Sequence, residues 1–147
     1  MAAEVLARGG SRADAFCGLM HDATEAYMPD IAAPIKREFP ELENFEDKIW
    51  QAVVKRFGID TSNYELVKEC DLAILMLEKR YCLRHTALQW DTNFPDTSKQ
   101  TIENLLLPTA AERAFVEMFN TLCNKNDKIE DIQLHVCMVR LEEFCND

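Results

Sequence analysis

Apolar residues recur along this chain at three- and four-residue steps, and stop signals cut the pattern into short lengths. The clearest run is Leu42, Phe45, Ile49, Val53 and Phe57, with Gly58 directly behind it. That spacing lines up one face of an α-helix. A glycine behind it ends the helix, because it enters the left-handed region without a Cβ penalty. A second run, Leu66, Cys70, Ala73, Ile74 and Leu77, predicts another buried stripe, with Ser62 and Glu65 spaced as a capping box. Ser11 with Asp14 predicts a cap for a helix carrying Ala15, Phe16, Leu19 and Met20, running through Glu25 toward Tyr27 and stopped by Pro29. Residues 1–8 read as a helix stopped by Gly9-Gly10, and residues 35–38 as a short helical piece. Residues 81–90 continue the second stripe or restart after a bend, and 91–101 read as a loop around Pro95. Thr109 and Glu112 predict a cap for a helix bearing Phe115, Met118, Phe119 and Leu122. A turn at 124–127 leads to a last helix through Ile129, Ile132, Val136 and Leu141. No β alternation and no internal repeat appears. The expectation is one all-α domain over residues 1–147, a compact bundle of six or seven helices.

Composition narrows the class. At 147 residues the chain builds one ordinary domain with a core of its own. Net charge is −10, which argues against a nucleic-acid polymer or an anionic membrane surface as partner. A small phosphorylated ligand stays open, since a local cation overrides the global field. Cys17, Cys70, Cys82, Cys123, Cys137 and Cys145 include no C-x-x-C, and most fall in apolar helical patterns. They read as free thiols in a reducing compartment, and the expected location is cytoplasmic. Glu4 and Arg8 interrupt the first apolar stretch, so no signal peptide is expected. The run 72–77 is far too short to span a membrane. Trp50 and Trp90 read as core residues, and Glu142, Glu143 and Asp147 as a solvated end.

The chemistry concentrates in residues 21–36. His21 and Asp22 are adjacent, and Glu25 follows them at one helical turn, over the same patch. An imidazole beside carboxylates suits a divalent transition metal. Asp30 lies just past the expected helix end, within reach of that patch. Asp71 directly follows Cys70 of the second stripe, where a buried carboxylate needs a partner. Lys68, one turn earlier, is placed to meet an anion.

The string His21-Asp22-x-x-Glu25-Ala26-Tyr27-x-x-Asp30-Ile31-x-x-Pro34-x-Lys36, followed by Lys68-x-x-Asp71, resembles the HD-domain phosphohydrolases. Within them it is most similar to the bacterial and phage branch that acts on nucleotides. The resemblance covers roughly residues 1–85. It implies a helical fold holding one divalent metal (Mn, Co, Fe, Ni or Zn) through His21, Asp22 and Asp71. Glu25 would orient or deprotonate the attacking water. Asp30 would assist as a second acid/base or contact the sugar. Lys36 and Lys68 would meet phosphate oxygens.

The chain departs from that pattern once. The family's first histidine lies on the preceding helix, at a position that falls ahead of Met1 here. His85 and His135 are the remaining histidines, and both read as structural. Two functions therefore stand as expectations. One is metal-dependent hydrolysis of a phosphate ester or anhydride in a (deoxy)nucleotide. The other is a shortened or degenerate domain that binds nucleotides or regulates without catalysis. A third expectation is a structural subunit whose helices complete a partner, which apolar surface around an incomplete first helix would support, and self-association is related to it.

Overall fold

The computed structural model describes residues 1–82 and 106–124. Within them every regular element is helical: α1 (Ala2–Ala7), α2 (Arg12–Met20), a 3-10 turn (Ala23–Ala26), α3 (Ala33–Glu38), α4 (Pro40–Phe57), α5 (Tyr64–Tyr81) and α6 (Pro108–Cys123). The expected all-α architecture holds. The helix expected around Ile129–Leu141 and the stretches 83–105 and 125–147 lie outside the described residues.

The centre of the molecule is α2. It packs against α1, α5 and α6. Ala15, Cys17, Gly18 and Met20 are all buried, so this helix hides most of its circumference, as a central element must. Two hydrophobic clusters meet on it. The first joins Val5, Leu6, Ala15, Cys70 and Leu122, from α1, α2, α5 and α6. The second joins Cys17, Met20, Val53, Ile59 and Val67, from α2, α4, α5 and the loop after α4. Phe16 packs against both. Each fully buried side chain, such as Val5 or Val67, contributes about 1.5–3 kcal/mol relative to an exposed one.

Local chemistry sets the helix ends. Ser11 Oγ accepts from Asp14 N at 3.1 Å, and Ser11 N donates to Asp14 Oδ2 at 2.8 Å, which completes the expected capping box. Burial pushes the Asp14 carboxyl up, but the bonds from Ser11 outweigh it and leave the pKa below its usual value. Gly58 ends α4 at φ 63°, and the Gly58 and Ile59 amides both turn back to the Val54 carbonyl. That reversal drops Ile59 into the second cluster. At Gly10 a Cβ would lie 2.8 Å from the Val5 carbonyl oxygen and 2.9 Å from Leu66 Cδ2, so the α1–α2 corner accepts only glycine. Arg12 Nη1 reaches across to the Thr121 and Asn124 carbonyls at 2.8 and 2.6 Å, closing the end of α6 from α2.

Three sequence expectations change. The helix begun at Ser11 stops at Met20 and does not run on toward Tyr27. Asp22 sits at φ −96°, ψ 14°, off the helix, and the Tyr27 and Met28 amides converge on the Thr24 carbonyl. Burial of Thr24 and Met28 holds this tighter path. The Ser62–Glu65 box does not form. Asp60 Oδ1 accepts from Ser62 N at 2.9 Å instead, and α5 begins after Asn63 without a side-chain cap. Finally, α6 starts at Pro108 itself, with Leu107 before it, so Thr109 is already inside the first turn.

Candidate functional site

The turn that ends α2 creates the site. As the chain leaves the helix at His21 and Asp22, two adjacent side chains converge that a continuous helix would splay by about 100°. His21 Nε2 lies 3.0 Å from Asp22 Oδ2 and 3.3 Å from Asp71 Oδ1, on α5. One imidazole nitrogen thus faces two carboxylates from positions forty-nine residues apart. The ring is 15% exposed, while the Asp22 and Asp71 side chains are 61% and 53% exposed. Asp71 is therefore not the buried carboxylate its apolar neighbours suggested. Cys70 turns fully inward and Asp71 outward at the rim.

The electrostatics follow from this arrangement. Burial pulls the His21 imidazolium down, but the hydrogen bonds and charges of Asp22 and Asp71 overcome it and raise its pKa to about 9. Asp22 moves the other way. The bond from His21 lowers its pKa against the opposing effect of burial, helped by the charges of His21 and Lys36. The raised pKa favours the imidazolium form of His21 between the two carboxylates. His21 Nδ1 is buried without a hydrogen-bond partner, so packing and Nε2 alone fix the ring.

Glu25 and Lys36 share this field. Burial and the negative charges of Asp22 and Asp30 raise the Glu25 pKa, against the pull of His21. Lys36 Nζ donates to Glu46 Oε2 at 2.6 Å, tying α3 to α4. That bond is the main cause of its raised pKa, with Asp30 and Glu25 adding to it. His21, Asp22, Glu25, Asp30 and Lys36 therefore share one field, and Asp71 joins it through His21. Lys68 does not join them. Its ammonium lies 3.2 Å from Glu65 Oε1 and 5.5 Å from the Tyr64 ring centroid. Glu46 is the neighbour that sequence reasoning missed, because nothing separates it from the other acids of α4.

Among the described residues no group of three or more His, Cys, Asp or Glu side chains is arranged to hold a metal ion. The donors of the His21 cluster, one imidazole nitrogen and two carboxylates, are chemically the kind that suit a divalent transition ion. Among the described residues Cys17 and Cys70 are buried free thiols, and Cys82 and Cys123 are exposed ones. No helix there is long and apolar enough to cross a membrane.

Comparison with known proteins adds one relative. No family model matches the chain, and no solved structure gives a significant match. The uncharacterized protein YfdR of Escherichia coli (strain K12) is 36% identical over 110 residues, or 74% of this chain. The match takes in 61% of YfdR, so the chain spans less than two thirds of that relative's length.

Proposed function

We propose that this chain is a divalent-metal-dependent phosphohydrolase acting on a (deoxy)nucleotide, with His21, Asp22 and Asp71 as the residues that would rearrange to close around the metal. The observation that carries this reading is the convergence of Asp22 and Asp71, forty-nine residues apart in sequence, on one nitrogen of His21. A divalent ion would lower the pKa of bound water and polarise the phosphoryl group. The surrounding residues have matching roles. Glu25, its pKa raised, is a carboxylate suited to orient water and take its proton. Asp30 shares its field and would assist as a second acid/base or meet the sugar. Lys36 would exchange Glu46 for a phosphate oxygen and neutralise charge there. Lys68 would have to leave Glu65 to meet phosphate, which makes it the more distant contributor.

A second reading is a non-catalytic nucleotide-binding or regulatory domain. The ion-pair distances from His21 to Asp22 and Asp71 favour it, because such a contact has a structural role of its own, tying the end of α2 to α5.

The test is phosphate or pyrophosphate release from a nucleotide panel, with Mn²⁺, Co²⁺ or EDTA. Turnover that needs metal and falls at least 100-fold in Asp71→Asn supports the enzyme. A folded, helical protein that turns over nothing with any metal supports the binding domain.

A further inference from the structure

The amphipathic face of α4 is only half covered. Val53 is its buried residue, while Phe45 and Phe57 are 55% and 40% exposed. Between this face and Tyr27, at the end of the 3-10 turn, opens a groove of about 560 Å³. That size suits a small ligand, for which pockets run about 300–1,000 Å³. Three aromatic side chains line it, Tyr27, Phe45 and Phe57, with Ile49, Ala52 and the buried Val53 completing the apolar lining.

The charges are as informative as the rings. The two ionisable side chains in the lining besides Tyr27 are Lys48 and Arg56, both cations, on a chain of net charge −10. Among the described residues neither joins an ion pair. They stand eight residues apart, about 12 Å along the helix axis. Arg56 lies over the Phe57 ring, 5.6 Å from its centroid, so charge and aromatic face already form one platform. Neutral apolar ligands would leave both cations unused, and a bare anion would leave three rings unused.

We propose that this groove binds an aromatic anion of mononucleotide size, its planar ring against Tyr27, Phe45 and Phe57 and its negative charge toward Lys48 or Arg56. The groove shares no residue with the His21 cluster. It binds its ligand whether or not that cluster hydrolyses anything.

The test is calorimetric titration of the full chain with adenosine monophosphate in EDTA, beside adenosine and ribose 5-phosphate. Adenosine monophosphate should bind at one site, adenosine more weakly, and ribose 5-phosphate not measurably. Losing one stacking ring in Phe45→Ser should weaken binding about fivefold to a hundredfold. Lys48→Glu with Arg56→Glu should weaken it at least about tenfold. Circular dichroism should confirm that these surface variants keep their helices. Asp71→Asn should bind like the parent, and such binding without any turnover supports the groove while counting against the hydrolase. Equal binding of ribose 5-phosphate overturns the proposal. So does binding that needs Mn²⁺ and is lost in Asp71→Asn but kept in the charge-reversed variant, a result that leaves the hydrolase standing. No binding by the full chain also overturns it, whether a second copy or another part of the chain fills the groove.

Discussion

Helices α4 and α5 are both 18 residues long, and both carry an apolar stripe. Yet α5 buries Val67, Cys70, Ala73 and Leu77, while α4 buries Val53. The difference lies in the side chains of the stripe. Small residues on α5 let α1 and α2 approach closely. On α4 the larger side chains Trp50 and Phe57 meet single rings, Tyr64 and Phe119, while Phe45 stays exposed, and among the described residues α4 makes its main element contacts with α3 and the 3-10 turn. Amphipathic spacing therefore marks which face can be covered, and side-chain size bears on how closely another helix covers it. The closely packed helix supplies the fixed carboxylate, Asp71, and the loosely packed one lines the groove.

The sharpest way to break this contrast is a charge in the α5 face. Val67 is 1% exposed. Val67→Asp should cost about 4 kcal/mol or more and leave little folded protein by circular dichroism. A variant with parental urea stability would mean that α5 is not the packed helix.

The His21 contact comes next, since it ties the start of the 3-10 turn to α5. In metal-free protein His21→Gln should cost about 1–2 kcal/mol, discounted because both carboxylates are more than half exposed. The sign with pH follows from the raised pKa. His21 binds its proton more tightly folded, at about 9 against an ordinary 6.5. Its stabilisation is complete below pH 6.5 and is lost as pH rises through about 9. Thermal melts in EDTA should fall across that window for the parent and stay flatter for His21→Gln. Equal slopes would show that the imidazolium does not hold these elements together.

Gly58 tests the end of α4. At φ 63° an alanine is strained, and Gly58→Ala should cost about 1 kcal/mol in urea melts. A neutral result would mean that the α4 terminus is loose. The smallest effect is expected at Phe45, which is 55% exposed. Phe45→Ser should change stability by less than about 0.5 kcal/mol. A loss of 2 kcal/mol would place Phe45 in a core and erase the contrast with α5.

What the sequence reveals follows the range of each interaction. The Ser11–Asp14 box and the Gly58 stop are local, and both are readable from residue type and spacing. The end of α2 at Met20 is not, because burial of Thr24 and Met28 bends a stretch that could otherwise continue as helix. Competition hid the α5 start, where Asp60 takes Ser62 away from a capping role. Among the site residues, Asp22 and Glu25 announce themselves beside His21. Asp71, on a different helix, is legible from its place beside Cys70 and from the resemblance of the whole string. The partners of Lys36 and Lys68 depend on which of several neighbouring acids a long side chain meets, and spacing does not decide that.

Phe16 touches both hydrophobic clusters from the middle of a helix of nine residues. Neither cluster can loosen without disturbing that ring, and the ring cannot move without disturbing the other cluster. The described helices should therefore open as one cooperative unit rather than as two. Amide protons near the middle of α2 would then exchange with solvent only when the whole assembly opens, while those of the exposed half of α4 escape by fraying. The slowest-exchanging part of the chain and the start of its chemically richest turn would be a few residues apart.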